Sequence, residues 1–368
     1  MHRPALTAGL LLPLALACTR GSAEPTLPRI DVDVRLHPYA YDAMLRLMPQ
    51  LSLVRAINLD GGPPGEVLAT LVELGELSRG RILVFTSVDW RDVDAADFGT
   101  RAARQLERAV ALGARGLVVD KALGLGVATR DGKLLAVDDP RLDPLWAKAA
   151  ELQVPVFLHT ADPAPYFEPV DRHNKRRAEI QRIPALAMGD ARFPRRQDLL
   201  AQRDMVLSRH PRTTFVCMGL ASSPDDVAGV DALLDAFPNA MVDTATALSD
   251  LAGQPVDRVR AFFRKHRQRI LFGSGLDVDE RGWTLGSPAQ RAIEPEEARA
   301  YYTRHFRFFE TLDPEVPNPI PLHGPAVLQG LGLGADVLEA IYLRNAERVL
   351  GIGATPRSGT QPGQAGPT

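Results

Sequence analysis

Eight short apolar runs, rich in β-branched residues, recur along this chain with helical patterns between them. Repeated strand–helix units of this kind place parallel strands side by side in one α/β sheet. Eight such units close into a (β/α)8 barrel. The runs span residues 30–36, 53–59, 82–88, 116–120, 154–159, 213–219, 240–244 and 269–275. The sequence therefore predicts one barrel over residues 29–352.

The N-terminus has the layout of an export signal. Met1-His2-Arg3 precedes an apolar run over residues 5–17, which is too short to span a bilayer. Leu14-Ala15-Leu16-Ala17-Cys18 resembles a bacterial lipobox, so residues 1–17 are predicted to be a signal peptide and Cys18 the lipidated N-terminus. Simple secretion after Ala17 is the alternative. We expect a cell-envelope or periplasmic protein whose only membrane contact is this lipid anchor.

The remaining segments outside the strand–helix rhythm also have expected roles. Residues 19–28 are predicted to be a tether, and residues 353–368, rich in Gly, Pro, Ser and Thr, to be disordered. The connection between strands five and six is too long for an ordinary loop, which indicates a long lid over the barrel mouth. We call residues 160–209 the lid segment.

The chain as a whole has a formal net charge of −2, which gives no reason to expect a nucleic-acid partner. Residues 171–212 differ, with 11 basic against five acidic side chains and a local charge of +6. This balance favours a small anionic ligand, with Arg172, Arg176 and Arg177 as candidate ligand-binding residues. A solvated surface is the alternative explanation, and an unknown protein partner is a further possibility.

The first strand carries charge at its carboxyl end. In Ile30–Leu36, Asp33 and Arg35 share strand parity, so both are expected to face the barrel interior and pair with each other. Arginine offers no lone pair to a metal, and its fixed positive charge repels one. Cys217 is predicted to face inward as a small core residue, because no histidine near it in sequence would activate it.

Several phrases, in order and over about 320 residues, carry a resemblance to a known family. They are Leu134–Trp146, Pro155–Pro163, Phe237–Thr244, Arg269–Gly273 and Ile341–Ala346. With them the chain resembles the amidohydrolase-related (amidohydrolase 2) family of the metal-dependent hydrolase superfamily. The resemblance implies a TIM barrel and hydrolase or decarboxylase ancestry.

The resemblance also implies where a metal would bind. The family draws on a His-x-His pair in strand one, histidines in strands five and six, and an aspartate ending strand eight. His159 matches the strand-five ligand, whereas the other positions hold Asp33, Arg35, Gly219 and Gly275. A degenerate metal centre follows from the resemblance, and no cofactor is expected.

Two functions stay open on this basis. One is a non-catalytic binder of a small anion or a partner, with Asp33, Arg35 and His159 among its ligand-binding residues. The other is an active lactonase- or decarboxylase-like hydrolase or lyase, with His159 and Asp277 as candidate catalytic residues. It would use either a rebuilt Zn or Mn site of Asp33, His159 and Asp277, or metal-free chemistry with Asp277 as the base.

Overall fold

The computed structural model describes residues 27–353. The predicted signal peptide, Cys18 and most of the tether lie outside these residues, as does the tail from residue 354 onward. No helix among the described residues combines the length and the apolar character needed to cross a bilayer.

Eight parallel strands form a closed barrel, as the spacing of apolar runs predicts. Strand β3 is one strand interrupted at Phe85, and β8 meets β1 through the Val32 N–H donating to the Phe272 carbonyl at 2.9 Å. The strands are β1 (Arg29–Leu36), β2 (Leu53–Asn58), β3 (Ile82–Val84 and Thr86–Ser87), β4 (Leu117–Val119), β5 (Val156–Leu158), β6 (Phe215–Cys217), β7 (Ala240–Asp243) and β8 (Ile270–Leu271).

Twelve α-helices of the described chain are built mostly on amphipathic patterns that cover the outside of the barrel. Helix α3 is typical, with Phe98, Ala102, Leu106 and Ala109 buried on one face, and it ends at Gly113, whose φ of 117° favours glycine. The helices are α1 (Tyr41–Leu47), α2 (Glu66–Leu77), α3 (Phe98–Leu112), α4 (Asp143–Glu151), α5 (Arg177–Arg182), α6 (Arg196–Arg209), α7 (Val227–Ala236), α8 (Leu248–Ala252), α9 (Val256–Lys265), α10 (Glu297–Glu310), α11 (Ala335–Glu339) and α12 (Asn345–Val349).

Two apolar clusters divide the core. The smaller one fills the barrel interior with side chains from the strands and is joined by Leu343 and Leu350 from the C-terminal helical segment. The larger one lies between the strands and the helices. Cys217 belongs to the larger cluster and Val216 to the smaller, so the prediction that Cys217 faces inward is wrong. Burial raises the pKa of its thiol to about 11, which makes it a poor nucleophile.

A register shift in β1 decides which of its charged side chains face the barrel mouth. The pairing of β1 with β2 shifts between Asp31 and Val34, as at a β-bulge. Asp31 points to the helix side, where it accepts hydrogen bonds from Ser274 Oγ at 2.5 Å and Tyr302 Oη at 2.7 Å. Asp33 and Arg35 are left facing the mouth.

The chain after β8 departs from the simple strand–helix repeat. Strand β9 (Leu276–Asp279) adds to β1 in parallel and forms a hairpin with β10 (Gly282–Leu285). A second, small sheet pairs β11 (Val316–Pro317) with β12 (Val327–Leu328). The run at residues 269–275 predicts one uninterrupted strand. This expectation is wrong, because β8 ends at Leu271 and the next strand, β9, begins at Leu276.

Candidate functional site

An inner cavity of about 240 Å³ opens at the carboxyl ends of the barrel strands, where (β/α)8 barrels place their sites. Asp33 and Arg35 come from β1, and His159 directly follows β5. Asp277 lies on β9, where it is the register partner of Arg35. The structure therefore brings together the four residues that the sequence analysis singles out at the mouth.

The Arg35 guanidinium has no direct partner among residues 27–353. No hydrogen bond and no ion pair within 4.0 Å joins it to another described residue, so the expected Asp33–Arg35 pair does not form. Its charge acts on Asp33 and Asp277 only through space. Five N–H donors on this half-buried cation, which lines the cavity, thus have no hydrogen-bond acceptor among the described residues.

Two carboxyl groups beside Arg35 hold protons more readily than ordinary carboxylates. Burial raises the pKa of Asp33, against the lowering effect of Arg35 and His159. Burial also raises the pKa of Asp277, again against Arg35, and the charges of Asp279 and Asp60 add to the increase. Protonation of either group leaves Arg35 with less negative charge around it.

Two neighbouring side chains, Lys121 and Asp162, hold the His159 imidazole in place. The Lys121 ammonium donates a short hydrogen bond to Asp162 Oδ2, and His159 Nε2 lies 3.4 Å from Asp162 Oδ1. Burial alone would raise the pKa of Asp162, but Lys121 and His159 outweigh it and hold that pKa below its usual range. Asp162 is therefore an ionised orienting group for the imidazole, as the carboxylate is in an Asp–His pair.

The opposite wall of the inner cavity is a hydrogen-bonded polar cluster. Glu179 accepts from Tyr166 Oη and Ser287 Oγ, both at 2.5 Å, and lies 3.3 Å from His323 Nε2. Burial opposes ionisation of Glu179, yet these donors, His323 foremost, lower its pKa to about 2. These donors satisfy Glu179, so the cluster shapes the wall. His323 Nδ1 is buried with no hydrogen-bond partner among the described residues.

The three candidate arginines of the lid segment occupy different places. Arg176 lines the inner cavity but is 1% exposed and donates to Asp250 and to the His323 carbonyl. Arg172 and Arg177 are exposed and do not line that cavity. Residues of the lid segment do contribute cavity wall, including Tyr166, Glu179 and Leu186. That the segment acts as a lid stays a prediction.

Two further arginines from the basic stretch at residues 171–212 support a strained turn after β6. Leu220, Ala221 and Ser222 all have positive φ, at 50°, 56° and 62°, which costs about 1–2 kcal/mol for each such residue. Arg203 donates to the Ala221 carbonyl and Arg196 to the Ser222 carbonyl, each at 2.6 Å. Part of the local positive charge is therefore structural.

A sequence model of the amidohydrolase family matches residues 84–352. The chain belongs to the amidohydrolase family. No curated protein matches the sequence.

Solved structures similar to this amidohydrolase-family protein share its barrel at low sequence identity. A 2,6-dihydroxybenzoate decarboxylase complexed with 2,6-dihydroxybenzoate is 15% identical in sequence, with a TM-score of 0.52. The match covers 89% of this chain and 100% of the decarboxylase chain. A dihydroxybenzoic acid decarboxylase from Polaromonas sp. JS666, with bound manganese and 2-nitroresorcinol, is 13% identical in sequence, with a TM-score of 0.52. The match covers 88% of this chain and 97% of the decarboxylase chain. At these identities the likeness establishes the TIM-barrel fold.

The three candidate metal ligands at the mouth, Asp33, His159 and Asp277, do not have their ligand atoms within 4.8 Å of one another. Among residues 27–353, one group of histidine, cysteine and acidic residues has its ligand atoms within 4.8 Å of one another, namely Asp231, Asp235 and His266. Both aspartates of that group already accept from Lys265. Asp33, His159 and Asp277 form no such group, so the rebuilt metal site is not assembled, and Arg35 lines the same cavity.

Sequence reasoning missed several residues that line this site. Lys121 and Asp162 each lie just past the carboxyl end of a barrel strand, β4 and β5, and that position alone marks a candidate functional residue. Ser287 and His323 come from the chain after β8 and meet Glu179 only through tertiary packing. Their spacing in sequence carries no signal of this contact.

Proposed function

We propose that this protein is a metal-independent member of the amidohydrolase family that binds a small carboxylate at the barrel mouth. The observation that carries the proposal is Arg35, a half-buried guanidinium that lines the inner cavity with no hydrogen-bond partner among the described residues. Guanidinium binds carboxylate through two parallel hydrogen bonds. A cavity of about 240 Å³ is smaller than the ~300–1,000 Å³ typical of drug-sized ligands.

The other cations of the inner cavity support Arg35 as the anchor. Arg176 is neutralised by Asp250, and Lys121 by Asp162. Asp33 and Asp277 have raised pKa values, so a lower pH leaves less negative charge to compete with a bound anion. We expect carboxylates to bind more tightly as the pH falls.

Calorimetric titration with a panel of small carboxylates tests the proposal. The panel includes acetate, glycolate and 2,6-dihydroxybenzoate, the last because a similar structure contains it. Arg35→Gln should weaken the binding of every carboxylate in the panel, and Arg258→Gln, which removes an exposed arginine outside the cavity, should not. Asp277→Asn should tighten binding about two- to tenfold by removing a competing charge. Unchanged affinity in Arg35→Gln would refute the proposal.

Metal analysis tests the other half of the proposal. We expect the purified protein to contain no stoichiometric divalent metal and its unfolding temperature to be unaffected by Zn²⁺, Mn²⁺ or a chelator. About one equivalent of Zn or Mn that is lost in His159→Ala would show that these residues hold a catalytic ion after all.

A second candidate function is metal-free lactone hydrolysis, favoured by the position of Asp277 beside Arg35 and by its raised pKa. Such a carboxylate is a stronger base than usual. Asp277 would take a proton from a water molecule while the oxygen of that water attacks the carbonyl carbon of the lactone. The ring C–O bond then breaks, and the alkoxide receives that proton from Asp277. The product is a hydroxy acid, whose carboxyl group releases its remaining proton to solvent and binds Arg35 as a carboxylate. Turnover of a lactone panel that is lost in Asp277→Asn would support this function over simple binding.

The proposal extends to an envelope lipoprotein anchored through Cys18, supported by the lipobox-like sequence at residues 14–18. Membrane fractionation of the full chain tests it. We expect the protein in the membrane fraction, and Cys18→Ala should move it to the soluble fraction. An unchanged distribution would refute the anchor.

A further inference from the structure

A second cavity adjoins the inner one at the barrel mouth. This outer cavity has a volume of about 660 Å³ and lies towards the lid segment and the chain after β4. The side chains common to both cavities are Arg35, Lys121, His159, Leu186 and Asp277. Arg35 therefore stands at the junction, and a group bound to it can extend in either direction.

Both cavities have polar and apolar lining, but the two directions from Arg35 end at different side chains. Beyond Arg35, the inner cavity leads to Glu179, Ser287 and His323, which are hydrogen-bonded to one another. An apolar group placed there would gain little and would desolvate a charged cluster. The outer cavity leads instead to a set of apolar side chains, Ala122, Leu125, Ala185, Leu186, Met188 and Phe193.

The apolar wall of the outer cavity is held in place by the fold. Met188 and Leu125 are 6% and 9% exposed and belong to the main core cluster, against which Phe193 and Leu186 also pack. The Met188 N–H donates to the Tyr166 carbonyl at 2.7 Å. Because these residues are already ordered, a chain that contacts them gains apolar burial at a low entropy cost.

We propose that the ligand is a monocarboxylate with an unbranched apolar chain, its carboxylate on Arg35 and its chain along Leu125, Met188 and Phe193 in the outer cavity. This inference rests on the proposed binding of a carboxylate at Arg35 and adds the class of molecule. Each methylene buried against the wall should tighten binding about two- to fourfold. This gain in affinity per methylene should stop once the alkyl chain of the ligand extends beyond the apolar wall.

The test is a series of linear carboxylates from acetate to decanoate, each titrated into the full chain below its micellar concentration. We expect affinity to rise about two- to fourfold with each added methylene over the middle of the series. Phe193→Ser and Met188→Ser should flatten this increase. Leu312→Ser, at an exposed apolar residue outside both cavities, is the matched control and should keep the full increase.

Arg35→Gln separates this inference from the function on which it rests. It should weaken every member of the series by a similar factor, with the chain-length increment retained. Arg35-dependent binding that does not change with chain length would overturn the inference and leave the proposed function standing. Absence of any Arg35-dependent carboxylate binding would overturn both. The result for Met188→Ser is used only if this variant shows a cooperative unfolding transition like that of the wild type. Phe193→Ser, at a half-buried position, tests the same wall with less effect on folding.

Discussion

Substitution of Asp31 is expected to change how the stability of this protein depends on pH. Asp31 is fully buried behind the barrel mouth, and burial raises the pKa of its carboxyl to about 7, against hydrogen bonds from Ser274, Tyr302 and the Asp33 N–H that lower it. The ordinary value, expected in the unfolded chain, is 3.8. The folded protein therefore binds this proton more tightly than the unfolded chain does.

The sign and size of the effect follow from that difference. The contribution of the Asp31 proton is fully present below about pH 4 and is lost as the pH rises through about 7. A difference of about three pKa units corresponds to about 4 kcal/mol of unfolding free energy at 1.36 kcal/mol per unit. Asp31→Asn removes the titration and keeps the shape, and the hydroxyls of Ser274 and Tyr302 can turn to accept from the amide.

Urea unfolding from about pH 4 to about pH 8 measures the effect. We expect the unfolding free energy of the wild type to fall, relative to that of Asp31→Asn, by up to about 4 kcal/mol over this range. Asp257→Asn, at a side chain that is 90% exposed, is the control and should track the wild type. A constant difference between wild type and Asp31→Asn at every pH would refute a buried carboxyl that titrates near neutrality.

Two further changes probe the charged side chains around the cavity. Arg176→Met should destabilise the fold by about 3–5 kcal/mol in urea unfolding, because it leaves the Asp250 carboxylate buried without its cation, and adding Asp250→Leu should recover most of the loss. Lys121→Met should raise the pKa of Asp162, so its loss of thermal stability should be greatest near neutral pH and narrow as the pH falls through the acidic range where Asp162 titrates. A loss that is independent of pH would contradict that role of Lys121.

Much of the barrel could be read from the chain itself. An apolar run of four to eight residues between helical patterns marks a buried parallel strand because both faces of that strand need apolar cover. All eight runs overlap the observed strands, and in the last run only Ile270–Leu271 of residues 269–275 is strand before the next strand begins at Leu276. Strand parity also placed Asp33 and Arg35 at the mouth, but it misplaced Cys217, since β6 is too short for its orientation to be read from alternation alone.

The sequence by itself determined the eightfold strand–helix pattern, the family, and the position of Arg35 near the carboxyl end of β1. Tertiary structure alone decided that Arg35 has no direct partner among residues 27–353, that Lys121 and Asp162 hold His159, and that Ser287 and His323 meet Glu179. The physical reason is that a strand is specified by local periodicity, whereas contacts such as Lys121 with Asp162 and Glu179 with Ser287 depend on distances between segments far apart in the sequence. A one-residue register shift, such as that in β1, is enough to change which side chains meet.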